Sequence, residues 1–150
     1  MKRAAIAICC ALASVSSFGG DWVFVGANQH LARLLDVSNI VKGSNIRGVW
    51  TLLVFKTSVN GEMYRISWID FDCQKKIYRE SEYALYSGNG RLMSNGKYSG
   101  AWSHAFPGSI AETDLKVVCQ KDYDITYYDQ GPNSVAKTIK DFYLGNGYWK

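Results

Sequence analysis

Apolar residues recur first with a period of two, in short runs, and later with a period near that of a helix. Asp21 to Gly26 holds Trp22, Val23, Phe24 and Val25, and Leu31 to Val37 forms a second run. Asn28, Gln29 and His30 between them predict a hairpin loop. Asn45 to Thr57 is the longest apolar stretch. Its first half alternates, with Ile46, Gly48 and Trp50 on one side and Asn45, Arg47 and Thr51 on the other. From Leu52 to Phe55 both sides are apolar, which predicts cover on both faces of a sheet. Asn60-Gly61 then predicts a tight hairpin turn, because that pair accepts positive φ angles. Met63 to Cys73 and Ile77 to Ser87 read as strands, separated by the polar break Gln74, Lys75 and Lys76. Gly88 to Gly96 reads as a loop with turn signals at Asn89-Gly90 and Asn95-Gly96. Lys97 to Ser103 reads as a short last strand carrying Tyr98 and Trp102.

After Pro107-Gly108 the period changes. Ser109-Ile110-Ala111-Glu112 fits a capping box, in which the hydroxyl accepts from the third backbone N–H and the Glu reaches back. Ala111, Leu115, Val118 and Cys119 share one helical face. Asp122 to Asp129 is rich in Tyr and Asp, and Gly131-Pro132 marks a turn. Asn133 or Ser134 then predicts the cap of a second short helix with Val135, Ile139 and Phe142 on one face. Gly145 and Gly147 end it.

The N-terminal end changes the compartment. Lys2 and Arg3 precede an uncharged run from Ala4 to Val15, followed by small residues from Ser14 to Gly20. This order predicts a cleavable secretory signal peptide, with cleavage after Ser17 or after Gly19. The apolar run of about a dozen residues falls short of the roughly twenty that span a bilayer, so no transmembrane anchor is expected. Cys9 and Cys10 lie within that run, and Ile8 before Cys9 does not make a lipid-attachment site, so an unlipidated protein is expected. Losing Lys2 and Arg3 lowers the 17 basic residues to 15 against 13 acidic, and the formal charge from +4 to +2. That balance argues against nucleic acid as a partner. The expected organisation is a signal peptide at 1–19, one domain at 20–119, and a C-terminal extension at 120–150.

Cys73 and Cys119 are the cysteines left after cleavage, and an even count in an oxidising compartment reads as a disulfide. Two distant histidines, His30 and His104, do not complete a zinc site. A bridge from the end of a strand to the apolar face of a helix would pin that helix to the sheet, and the chain-entropy model assigns it about 4 kcal/mol. The fold class expected is α+β, mainly β. It is an antiparallel meander of about six strands with a C-terminal helix tied to it by the disulfide.

Motifs for catalysis or cofactors do not complete. Gly88-Asn89-Gly90 starts a dinucleotide pattern that fails at Met93. Glu80 and Glu82 share a strand face by period two, which would suit acid/base work on a glycan, though a solvated face is the plainer reading. No cofactor and no catalytic residue is expected. Lys75, Lys76 and Arg79 cluster by a turn, with Arg65 expected near them on the neighbouring strand and Tyr78 beside them. Tyr and Arg are enriched where proteins meet partners, and these five residues are the candidate partner-binding set.

The order of several features resembles the bacterial surface-adhesin protein E family. They are Trp22-Val23, then Asp36 with Ser38 and Ile40, a long central strand, and Asp72-Cys73. Tyr86-Ser87-Gly88 follows, then Trp102, then Pro107-Gly108-Ser109 before a helix ending in Cys119. The resemblance covers roughly Asp21 to Cys119 and leaves Gln120 to Lys150 outside the shared pattern. It implies an antiparallel sheet with a helix tied by Cys73–Cys119, in an exported protein of a Gram-negative bacterium. It also implies adhesion to a protein partner such as host extracellular matrix. A soluble periplasmic module of an envelope assembly is the alternative, with a glycan hydrolase third. An open edge strand would also allow a homodimer.

Overall fold

The computed structural model describes residues 19–123 and 127–149. The expected signal peptide thus lies outside the described residues, apart from Gly19. Among the described residues no helix is long and apolar enough to cross a membrane.

The long strands are β1 (Trp22–Ala27), β2 (Leu31–Asp36), β4 (Ile46–Val59), β5 (Glu62–Asp72), β6 (Ile77–Ser87) and β7 (Leu92–Lys97). Each pairs antiparallel with the next, in the order β7-β6-β5-β4-β2-β1. Three two-residue strands complete the sheet: β3 (Val41–Lys42) on β4, β8 (Ser103–His104) on β6 and β9 (Tyr127–Tyr128) on β1. The expected meander is therefore present. Asn60 (φ 54) and Gly61 (φ 85) both adopt the positive φ that a two-residue hairpin turn demands.

The last long strand comes earlier than the sequence suggests. The β6–β7 turn closes at once, because Gly90 N–H donates to Ser87 O at 2.9 Å and Ser87 Oγ accepts from Arg91 N–H at 3.2 Å. Asn95-Gly96, a turn signal by type, lies inside β7. Gly is needed there for room: a Cβ on Gly96 would sit 3.0 Å from Cε1 of the Tyr83 ring.

Strand alternation gives the sheet two faces, and a helix lies on each. On the first, α1 (Ile110–Leu115) continues as a π-helical turn, Lys116–Gln120. Leu115, Val117 and Val118 pack on Leu35, Val49, Ile69 and Phe71. Ser109 caps the helix by accepting from Glu112 N–H at 3.2 Å, and Glu112 reaches back to accept from Gly108 N–H at 2.8 Å. That backbone donor, with Lys116 second, holds the Glu112 carboxyl below its ordinary range. The wider π turn brings Val117 to the sheet beside Val118 and leaves Cys119 half-buried. Cys73 and Cys119, 46 residues apart in sequence, form the disulfide with a Cα–Cα distance of 5.6 Å.

Two polar contacts fix this helix further. Arg47 Nη1 donates to the carbonyls of Val118 (2.6 Å) and Cys119 (3.1 Å), which the helix end leaves free. Asp114 is fully buried and faces Arg33 Nη2 at 2.7 Å. The contact is ionic and short, but neither side chain's buried atoms achieve hydrogen-bond geometry. Burial outweighs Arg33 and lifts the Asp114 carboxyl from 3.8 to about 6.

The second face carries α2 (Pro132–Gly145). Val135, Ala136 and Ile139 cover Ala32, Leu34, Leu52, Val54 and Tyr64. The helix starts before the expected Asn133 or Ser134 cap: Gly131 is the N-cap and makes no side-chain cap bond. Pro132 suits the first helical position, since its φ is preset and its missing N–H would have no helical acceptor. Beyond the helix, Trp149 is buried and its Nε1 donates to Asn28 O at 2.9 Å, tying the chain end to the β1–β2 loop. In the run Leu52 to Phe55, Leu52 and Val54 are buried under α2, whereas Leu53 and Phe55 face the other side, outside the α1 cluster and only half-buried, so the cover expected on both faces is complete on one.

Candidate partner-binding surface

α1 covers only part of its face. On the rest, Arg65 of β5 stands opposite Leu85 of β6, with Ser67 opposite Tyr83. Arg65 Nη2 pairs with Glu80 Oε1 at 2.6 Å and its Nε donates to Ser67 Oγ at 3.0 Å. Its guanidinium lies 4.6 Å from the Tyr83 ring centre and 5.7 Å from that of Tyr98. The two tyrosine rings stack at 5.0 Å. Gly96 admits the Tyr83 ring, and Tyr98 N–H donates to Ser81 O at 2.7 Å, which brings Tyr98 back over β6. The product is a platform of one cation and two rings, fixed from below. Tyr98 remains 46% exposed. It borders β7, whose outer side is an open strand edge in this sheet order.

The five candidate residues do not assemble into one patch. Lys75 and Lys76 sit in the β5–β6 turn, where Asp72 Oδ1 accepts from Lys75 N–H at 2.9 Å. Lys75 Nζ also lies 3.8 Å from Asp72. Arg65 lies some seven residues along β5 from that turn, roughly 23 Å at the strand rise. Tyr78 packs on Phe71 with ring centres 6.1 Å apart, so it serves the core under α1. Arg79 belongs to the opposite face: its Nε donates to Asp70 at 3.0 Å, and its guanidinium lies 4.7 Å from the Trp102 ring centre. Only Arg65 joins the platform. Tyr83 and Tyr98 were visible as strand tyrosines, but their meeting depends on the position of β7, which the Asn95-Gly96 signal concealed.

Glu80 and Glu82 do not share a face. The β5–β6 register shifts at this point, so that Glu82 opposes Trp68 while Glu80 opposes Ile69. Successive β5 residues point to opposite sides, and their partners do likewise. A β-bulge adds one residue and thereby reverses the facing that period two predicts. Glu80 is committed to Arg65, and the carboxylate pair on which a glycan hydrolase would rest is not formed.

No curated protein matches the chain. The family model described as surface-adhesin protein E matches residues 22–120. That span runs from the first core residue of β1 to the turn carrying the disulfide, and it includes all the long strands. The chain belongs to the surface-adhesin protein E family.

Proposed function

We propose that this protein is an exported, adhesin-like binding module that recognises a protein partner, such as one of the host extracellular matrix. The platform of Arg65, Tyr83 and Tyr98 beside the β7 edge is the contact surface in this reading. One observation carries it: an arginine and two tyrosines are stacked and salt-bridged in place on an uncovered sheet face. Such side chains supply large contact area with little ordering cost, and they dominate binding energy at protein interfaces. The adjoining edge offers backbone groups to an added strand.

Purified protein presented to immobilised matrix proteins tests this. Arg65→Ala and Tyr98→Ala should each weaken retention at least tenfold while leaving the melting temperature within a few degrees. Retention unchanged in both variants would overturn the assignment of the surface. Equal binding of matrix by cells with and without the protein would overturn the adhesin role. Fractionation of the native host, with the mature N-terminus read by mass spectrometry, separates the adhesin from a periplasmic module. The absence of a lipid-attachment motif around Cys9 favours the second reading, and confinement to the periplasm would establish it.

A further inference from the structure

On the other face, α2 leaves half of the sheet uncovered, and a single cross-strand row runs through the gap. Trp22 opposes Asp36, Trp50 opposes Trp68, Trp68 opposes Glu82, and Glu82 opposes Lys97. Asp36 and Trp50 are next in the β2–β4 register after Leu35 and Thr51. The row thus crosses six strands, about 24 Å at the spacing of neighbouring strands. Two clefts lie along it and share Trp50. One of about 570 Å³ is lined by Trp22, Asp36, Asn39, Trp50 and Trp68, and α2 walls it with Pro132. The other, of about 260 Å³, is lined by Trp50, Glu82, Asn95 and Lys97.

The groove is built rather than incidental. Trp50 and Trp68 meet edge to face at 5.1 Å and stay half-buried. Trp68 lies over the β4 backbone at Gly48, where a Cβ would fall 2.1 Å from its ring, so only glycine admits it. Near Gly20, Trp22 Nε1 is buried and has no hydrogen-bond partner among the described residues. A Cβ on Gly20 would sit 2.8 Å from Asp36 Oδ2 and 3.0 Å from that Nε1, so a donor and an acceptor converge there. Buried donors are rarely left unpaired without a reason.

We propose that this groove binds an uncharged oligosaccharide. A pyranose presents C–H bonds of partial positive character on its ring faces, and these lie well on the negative face of an indole. Its hydroxyls both donate and accept, which fits carboxylates, an amide and an ammonium set between tryptophans. Glu82, Asn95 and Lys97 take part in no ion pair or side-chain hydrogen bond among the described residues, so their hydrogen-bonding capacity is available to a ligand. Acidic glycans are disfavoured, because Asp36 and Glu82 outnumber Lys97 along the row. An extended peptide fits less well: the floor is side chains, and the backbone groups beneath are already spent in the sheet ladder.

The test is an array of uncharged tetra- to hexasaccharides, with a heparin tetrasaccharide and a proline decapeptide as competitors of other chemistry. Binding is followed by tryptophan fluorescence and calorimetry on the full mature chain. At least one uncharged oligosaccharide should bind and shift the tryptophan emission, with Trp68→Ala and the surface change Asn95→Ala each weakening it at least tenfold. Asn95→Ala should melt as the wild type does, which separates lost binding from lost folding. Binding by no uncharged glycan, by heparin or the proline peptide alone, or undiminished in both variants would overturn the proposal. Arg65→Ala and Tyr98→Ala lie on the opposite face and should leave glycan binding unchanged, so this site and the protein-binding platform fail independently.

Discussion

On one face of the sheet, α1 is held by a disulfide, a buried ion pair and an arginine across its end. On the other, α2 is held by Val135, Ala136, Ile139 and Trp149 against apolar strand residues, with an indole hydrogen bond at the chain end. The first helix is short, six residues before its π turn, and buries few side chains. The second has fourteen and a longer apolar stripe. Isolated helices of one or two turns are marginal in water. The short one therefore depends on directional and covalent contacts, whereas the longer one can dock by area alone. The boundary of the family match, at residue 120, falls between them. The segment outside that match supplies the cover for the second face.

Four changes put this contrast to the test. The largest effect should come from ending the chain after Gln120. It exposes Trp22, Leu34, Leu52, Val54 and Tyr64 and removes burial worth on the order of 5–10 kcal/mol, comparable to the whole stability of a domain. The truncated protein should be insoluble or lack a cooperative melt; a normal melt would show that α2 is dispensable. Next is Arg33→Met, which leaves Asp114 buried without its partner. A loss of about 3–5 kcal/mol is expected in denaturant unfolding, and an unchanged midpoint would mean that the pair contributes nothing net.

Replacing both Cys73 and Cys119 by Ser should cost about 2–4 kcal/mol. The wild type should lose a similar amount in reducing buffer, and equal melting in oxidising and reducing buffer would refute the bridge. The smallest effect concerns pH. Because burial raises Asp114 from 3.8 to about 6, the folded state holds a proton that the unfolded chain releases in that window. The stability contributed by Asp114 is fully present below pH 3.8 and is lost as pH rises through about 6. Asp114→Asn should therefore remove a component of stability that declines between about pH 4 and pH 6. Parallel pH profiles for the two proteins would contradict the shifted carboxyl.

Much of the fold was legible because its signals are local. The hairpin at Asn60-Gly61, the strand from Ile77 to Ser87 and the Ser109 cap each depend on residues within a few positions of one another. The doubly apolar stretch at Leu52 to Phe55 announced the cover that α2 gives Leu52 and Val54, but α1 packs farther along the other face and leaves Leu53 and Phe55 half-buried. The surfaces were harder to read because one extra residue in β6 reverses the facing of the strand on either side of it. Period two put Glu80 with Glu82, and closeness in sequence put Tyr78 and Arg79 with the basic turn. The bulge instead gave Glu80 to Arg65 and sent Arg79 to the far face.

The meander, the pairing of Cys73 with Cys119 and the existence of both helices were already written in the amino-acid order, since periodicity, turn chemistry and cysteine count are properties of short segments or of composition. Which face each helix covers, where β7 begins, and which side chains meet on the open halves of the sheet came only with tertiary packing. Those outcomes depend on register across strands far apart in the chain, where a shift of one residue exchanges one face for the other.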